Sequence, residues 1–173
     1  MGYWGLFIIV MLAGVVIQST LQGKFAKYSK VSLKYGYTGA DIARKMMQDN
    51  GITDVKVECI EGTLTDHYNP STKTVNLSKK VYYGSSVAAA AVAAHECGHV
   101  VQHAVGYAPL KLRSALVPVV SFANNTVQWI LLLGMLMIKT FPTLLWIGIA
   151  LFAMTTLFSF VTLPVEINAS ARA

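Results

Sequence analysis

Three long stretches without a charged side chain stand out along the chain. They run from Tyr3 to Gln18, from Ser114 to Ile138 and from Phe141 to Val165. A helix that spans a bilayer needs about 20 predominantly apolar residues. Each stretch has the length and character of such a helix, so the pattern predicts three transmembrane helices.

The first stretch has two interpretations, an uncleaved membrane anchor and a secretory signal peptide. No basic residue precedes it, no charged residue follows it before Lys24, and no A-x-A-like cleavage site comes after it. Signal peptides carry a basic segment before the apolar stretch and a cleavage site of this kind after it. We therefore predict an anchor helix over residues 1–21. Only Lys139 and Thr140 separate the other two stretches. We therefore expect a tight helical hairpin over residues 114–165.

The distribution of basic residues predicts the orientation in the membrane. Residues 22–113 contain twelve of the fourteen Lys and Arg residues, whereas the predicted hairpin tip contains only Lys139. Cytoplasmic segments of membrane proteins carry an excess of Lys and Arg. We expect a multi-pass protein of the cell membrane with residues 22–113 in the cytoplasm.

Overall composition agrees with a membrane protein whose partner is the lipid bilayer. Hydrophobic residues make up 54% of the chain and charged residues 13%, against about 25% charged in an average soluble domain. The net charge of +6 follows from the cytoplasmic excess of basic residues, so we do not expect a nucleic-acid partner.

The polar segment between the first two spans has the pattern of a small α+β unit. Thr38 has the properties of a helix N-cap, with Asp41 in the first turn and Gly51 as the stop. Asp54–Ile60 alternates between apolar and polar residues, as expected for a strand.

A predicted β-hairpin and a long helix complete this unit. The segments Thr63–Tyr68 and Thr74–Ser78 flank the turn sequence Asn69-Pro70-Ser71. A helix then follows over residues 85–105, with Ser85 or Ser86 as its N-cap and an alanine-rich body over Val87–Ala104.

This helix carries the motif His95-Glu96-Cys97-Gly98-His99, which is H-E-x-x-H. Residues four apart lie on one helix face, so both imidazoles can bind one metal ion. The glutamate between them can accept a proton from the attacking water and return it to the leaving amine. A purely structural helix is the alternative, but it gives two histidines no role in an apolar helix.

A catalytic zinc site needs a third protein ligand, and the candidates are His103, His67 and Glu166. His103 lies about 12 Å along the helix axis from His95, which is too far for a shared ion in a straight helix. The predicted hairpin crosses the membrane and returns, so residues after Leu163 come back to the side of the motif. Glu166 is the first acidic residue after this return. The alternative interpretation of Glu166 is a charged residue at the membrane interface. The alternative interpretation of His103 is an ordinary histidine at a helix end.

An alternative from a different class of function is a non-catalytic membrane protein with a structural or sensing zinc site. Such a site is closed by four protein ligands. Cys97 is the obvious fourth ligand, but it points about 160–200° around the helix from the histidines. A transporter is a further alternative, although the predicted spans contain Asn124, Asn125 and Gln128 and no charged residue.

Three segments resemble a known family, the bacterial YugP-like membrane zinc metallopeptidases. They are HECGHVVQH at residues 95–103, LTDHYNPSTKTVNLS at residues 64–78 and LPVEINASARA at residues 163–173. The resemblance covers nearly the whole chain. It implies a gluzincin-type core with one zinc ion per chain, bound by His95, His99 and Glu166, and with Glu96 as general base.

The fold class expected from pattern and resemblance together is an α-helical membrane protein with a small α+β gluzincin-like catalytic unit and three transmembrane helices. Residues 22–113 are the catalytic segment, and residues 166–173 begin the helix that carries the third ligand. The resembling proteins continue with another hydrophobic region, so we expect this sequence to stop short of the family's full length.

A more distant similarity is to the HtpX and CAAX-prenyl endopeptidases, in which the second metal-binding helix carries E-x-x-A-D. Here the corresponding run from Glu166 ends in Ser170. A serine can orient a ligating histidine, but less strongly than a carboxylate. His103 is a further candidate for an orienting or substrate-facing residue.

The expected substrate is a peptide or a membrane protein. In gluzincins an edge strand beside the motif helix pairs with the extended substrate, and we expect Thr74–Ser78 to be that strand. His67, Tyr68 and Arg172 are candidates for stabilising the oxyanion. The alternatives are ordinary turn residues for the first two and a positive-inside charge for Arg172.

Overall fold

The computed structural model describes residues 2–63 and 65–173. Leu64, which belongs to the predicted strand Thr63–Tyr68, lies outside the described residues, as does Met1 of the predicted anchor. The elements are α1 (Gly2–Tyr28), α2 (Gly39–Asp49), β1 (Lys56–Ile60), β2 (His67–Asn69), β3 (Thr74–Ser78), α3 (Lys79–Tyr82), α4 (Val87–Ala104), α5 (Ala108–Leu136) and α6 (Pro142–Arg172). The chain forms two compact units, residues 1–100 with 173 and residues 101–172. The division runs through α4.

Three helices are long and apolar enough to cross a membrane, as the sequence predicts. The candidate spans are Phe7–Tyr28, Ala108–Leu136 and Pro142–Arg172. Each helix extends beyond its apolar stretch. Lysine and arginine are good helix formers and can extend their charged ends toward the polar interface, so a helix does not stop where its charges begin.

Helices α5 and α6 pack against each other as an antiparallel pair within the second unit. A Cβ added to Gly134 would lie 2.8 Å from the backbone of Leu145, and one added to Gly148 would lie 2.7 Å from the Leu131 side chain. The paired residues run in opposite directions along the two helices. Small residues at such contacts let membrane helices approach closely.

The first unit contains a three-stranded sheet in the order β1-β3-β2. Strand β1 is parallel to β3, with Val57 opposite Val75, and β2 is antiparallel to β3, with Tyr68 opposite Val75. The predicted hairpin is confirmed, although β2 begins only at His67. All five residues of β3 are buried.

The expectation that Thr74–Ser78 is an edge strand is wrong. β1 and β2 pair with β3 on its two sides, so no backbone edge of β3 remains for a substrate. Sequence order placed this strand next to the motif helix, but the parallel pairing with β1 is a long-range contact that periodicity does not reveal. The edge strands are β1 and β2.

The core of this unit lies where α2, the sheet and α4 meet. Small residues on α4 allow close packing against larger side chains from the strands. The buried residues of this core are Ala43, Met47, Val75, Leu77, Val81, Ala89, Ala93, Cys97 and Val100. The apolar face of α4 is therefore fixed against the sheet, which determines where its polar face points.

Candidate metal centre and active site

Helix α4, which carries the H-E-x-x-H motif, has the bounds Val87–Ala104 that the alanine-rich pattern predicts. It begins after Ser86, whose Oγ accepts a hydrogen bond of 3.2 Å from the N–H of Ala89. This contact satisfies one of the unpaired N–H groups at the helix start.

The two histidines of the motif lie side by side on α4. The ring centroids of His95 and His99 are 4.9 Å apart, with an angle of 83° between the planes. Both residues are half-buried. Cys97, by contrast, is 0% exposed and its Sγ donates to the carbonyl oxygen of Ala43 at 3.6 Å. The cysteine therefore belongs to the apolar core.

Glu96 is a buried carboxylate, only 9% exposed. Its Oε2 accepts a hydrogen bond of 3.1 Å from the backbone N–H of Tyr68 on the edge strand β2. Burial raises the pKa of Glu96 above its ordinary value, and the nearby charges of His99 and His95 and the Tyr68 N–H counteract this effect. Glu96 is thus held in place and holds a proton more readily than an exposed carboxyl group.

Strand β2 is itself fixed by two side chains at its start. Asp66 accepts hydrogen bonds from the N–H and the hydroxyl of Ser78, at 2.7 and 3.1 Å. The ring nitrogens of His67 contact the carbonyl oxygen of Thr65 at 2.7 Å and the amide of Asn76 at 3.1 Å. Sequence reasoning missed Asp66 and Asn76, because a polar residue in a short hairpin carries no signal of its cross-strand partner.

The side chain of Tyr68 packs against the apolar core. Burial raises the pKa of Tyr68, and the charge of Asp54 adds to this effect. The oxyanion roles of Tyr68 and His67 stay predictions. Tyr68 does contact Glu96, through its backbone N–H.

Within the second unit, Glu166 lies half-buried near the end of α6. Its neighbours Val165 and Ala169 are fully buried. The side-chain nitrogen of Gln102, in the last turn of α4, donates to the Val165 carbonyl oxygen at 2.7 Å and to Asn168 Oδ1 at 3.1 Å. Sequence reasoning did not single out Gln102.

Three of the predicted ligand residues form a group that can hold a metal ion. One nitrogen of His95, one nitrogen of His99 and one carboxylate oxygen of Glu166 lie within 4.8 Å of one another. Among the described residues, this group includes neither His67 nor His103. His103 is exposed at the end of α4, and Ser170 is exposed on α6.

Comparison with known proteins gives the family. The family model described as "Putative neutral zinc metallopeptidase" matches residues 3–173. The chain belongs to this family. Membership supports a protease function for a chain that also has three candidate membrane spans among its described residues.

One relative of this metallopeptidase supports the membrane location. The chain is 45% identical over 172 residues to the "Putative membrane protease YugP" of Bacillus subtilis (strain 168). The match covers 97% of this chain and 76% of the relative. No solved structure matches the chain significantly.

The donor set agrees with the zinc that the family implies. Two imidazoles and one carboxylate are common zinc ligands, and ligand atoms around a tetrahedral zinc lie roughly 3.4 Å apart when each bond is about 2.1 Å. Donor atoms within 4.8 Å of one another match that scale. Three protein ligands would leave one coordination position of a tetrahedral zinc open, as in catalytic zinc sites.

Proposed function

We propose that this protein is a membrane-embedded, zinc-dependent endopeptidase with one zinc site per chain, in a gluzincin-like arrangement. His95, His99 and Glu166 are the proposed ligands and Glu96 the general base. The observation that carries the proposal is the convergence of the three donor atoms within 4.8 Å, with the buried Glu96 next in sequence to one of them.

Zinc in this position would polarise the scissile carbonyl and lower the pKa of a water molecule. Glu96 then accepts a proton from the attacking water and delivers it to the nitrogen of the leaving amine. Burial raises the pKa of Glu96, which favours its uptake of a proton from the water. The hydrogen bond from Tyr68 restricts its rotamers, so the base stays oriented.

The proposed peptide substrate binds along β2 rather than β3. β2 is an edge strand, and its residue Tyr68 touches Glu96. An extended peptide that pairs with a sheet edge gains main-chain hydrogen bonds without a strict sequence requirement. His67 and Arg172 stay candidates for contacting the substrate carbonyl.

The proposed location of the reaction is the cytoplasmic face of the cell membrane. Support comes from the three candidate spans and from the excess of Lys and Arg in residues 22–113. Peptide segments of membrane proteins near this face are the proposed substrates.

A non-catalytic zinc site is the alternative function. It would need a fourth protein ligand to close the coordination sphere. Cys97 is buried against Ala43, and the metal-binding group contains three residues. The geometry thus favours an open, catalytic site.

The test measures zinc content and proteolysis of a labelled casein in detergent-purified wild type, Glu166→Ala and Glu96→Gln. We expect about one zinc per chain in wild type and in Glu96→Gln, and much less in Glu166→Ala. Loss of the general base should lower the rate by roughly 100- to 10,000-fold. Full activity of Glu96→Gln would refute the mechanism, and zinc without activity in the wild type would favour the non-catalytic alternative.

A further inference from the structure

Helix α6 lacks one of its own backbone hydrogen bonds close to Glu166. Pro164 lies inside this helix, two residues before Glu166. Proline has no N–H, so the helical hydrogen bond to the carbonyl group of Phe160 cannot form, and the helix is weakened at this point. A contact from another element can therefore help to hold a carboxylate that lies two residues beyond this missing hydrogen bond.

Gln102 supplies a contact on both sides of Glu166 in the sequence. Its side-chain amide donates to the carbonyl oxygen of Val165 at 2.7 Å and to Asn168 Oδ1 at 3.1 Å. Gln102 is 0% exposed, and glutamine is rarely fully buried unless it is hydrogen-bonded. The amide is thus committed to the segment of α6 that carries Glu166.

Gln102 also lies on the histidine face of α4. It follows His95 by seven residues and His99 by three. At 3.6 residues per turn, it is rotated by about 20° from His95 and about 60° from His99, and it lies about 4.5 Å along the axis from His99. Helix α4 therefore carries both imidazoles and the amide that contacts α6.

We propose that Gln102 is a positioning residue for the metal site, whose amide holds the segment after Pro164 so that Glu166 reaches the ion. This inference rests on the proposed role of Glu166 as a ligand. Residues that orient metal ligands typically change metal affinity 10- to 100-fold when they are replaced. A buried hydrogen bond that only stabilises the fold would not act on the metal in this way.

The test variant is Gln102→Leu, which keeps a similar volume and removes the donor. We expect it to fold, since neither acceptor is left without a partner. Val165 lies inside α6, where its carbonyl accepts the helical N–H of Ala169, and Asn168 Oδ1 accepts a hydrogen bond from Arg172 at 2.8 Å. Val100→Ala is the matched control, because it removes buried volume from α4 in the core without touching the amide.

The measurement is zinc affinity by competition with a chelator, together with the visible spectrum of the cobalt-substituted protein, which reports the ligand set. We expect Gln102→Leu to bind zinc roughly 10- to 100-fold more weakly than wild type and its cobalt spectrum to shift toward that of Glu166→Ala. Val100→Ala should keep both the affinity and the spectrum, although it too is destabilised.

Two results overturn the inference and are distinguishable. If Glu166→Ala loses zinc while Gln102→Leu binds like wild type, Gln102 is only structural and the proposed function stands. If Glu166→Ala itself keeps wild-type affinity, the proposed ligand is wrong and this inference falls with it. If Gln102→Leu fails to fold, the zinc affinity of Asn168→Ala tests the inference instead. This variant removes one of the two acceptors, so a weakened affinity supports the inference and an unchanged one refutes it.

Discussion

The two ends of helix α4 are held by different kinds of contact. Its first part packs against the sheet and α2 through small apolar side chains, with Ala89, Ala93, Cys97 and Val100 in the core. Its last turn contributes one buried amide, Gln102, with acceptors on α6. The first part carries the histidines and Glu96, and the last turn contacts the segment of the third proposed ligand.

The difference has a physical consequence for each end. Apolar packing is spread over many weak contacts, so the loss of one side chain lowers stability without redirecting a particular atom. A buried hydrogen bond depends on one donor and its direction, so its loss also releases the particular group that it orients. We therefore expect core variants to change unfolding, and variants of the polar contacts beside the proposed metal site to change metal binding or rate.

The largest expected effect on stability comes from Leu77→Ala in the central strand. Leu77 is fully buried in the core that holds α4. Leu→Ala substitutions at such sites cost about 2–5 kcal/mol, because they remove apolar contacts and leave a cavity. Thermal unfolding in detergent, followed by circular dichroism, measures the loss. Leu112→Ala on α5, where Leu112 is 52% exposed, is the control. Equal effects of the two variants would contradict the account of the core.

The variant Tyr68→Pro tests a polar contact. It removes the backbone N–H that donates a hydrogen bond to Glu96. Proline is tolerated on an edge strand where the N–H does not pair within the sheet. Hydrogen bonds to charged groups contribute about 1.5–3 kcal/mol. If this contribution persists in the reaction, the rate falls roughly tenfold or more. Zinc content should not change.

The matched control for this variant is Tyr68→Ala, which removes the side chain and keeps the N–H. Proteolysis rates of the two variants are compared at equal zinc content. Equal rates would show that the backbone contact has no effect on the base.

The reactivity of Cys97 tests whether this residue belongs to the apolar core or to the metal site. Burial raises the pKa of its thiol to about 12, so the reactive thiolate is absent near neutral pH. We expect a maleimide to modify the half-buried Cys59 and to reach Cys97 only after unfolding, as measured by mass spectrometry. Cys97→Ser should keep its zinc at a cost of about 1–2 kcal/mol in stability. Loss of zinc in this variant would instead support a closed, four-ligand site.

How much of this could be predicted from sequence depends on the range of the contacts involved. The motif helix, the capped helix α2, the hairpin strands and the three spans follow from local periodicity and local start signals. Topology alone led to Glu166 as a candidate ligand, because a returning hairpin delivers its last residues to the side where it began, and its role as a ligand stays a prediction.

The remaining features depend on long-range pairing that a single sequence does not encode in its local pattern. The central position of β3 results from its parallel partner β1, which is separated from it in sequence by the whole of β2. The contact between Gln102 and α6 could not be predicted from the sequence for a similar reason. Its acceptors Val165 and Asn168 lie more than sixty residues away, and a glutamine at a helix end reads as an ordinary surface residue.

The smallest expected effect comes from a polar contact that lies away from the metal site, the capping box of α2. The Thr38 hydroxyl accepts the N–H of Asp41 at 3.2 Å, and the Thr38 N–H donates to Asp41 Oδ2 at 3.0 Å. Thr38→Ala should cost about 1 kcal/mol, a drop of about 2–4 °C in Tm for a chain of this size. Zinc affinity should stay at the wild-type value, since the polar contact is far from the proposed ligands in sequence and its partners belong to α2.

The lowered pKa of Asp41 determines the direction in which the stability contribution of the cap changes with pH. Hydrogen bonds from the side chain and then the backbone of Thr38 lower the pKa of Asp41 below its ordinary value. A carboxyl group with a lowered folded-state pKa stabilises the fold above its unfolded pKa, and this contribution is lost as the pH falls through the folded value. The difference in Tm between wild type and Thr38→Ala should therefore be constant from pH 5 to 8 and shrink below pH 4. An unchanged difference at acidic pH would mean that the Asp41 carboxylate does not contribute to the cap.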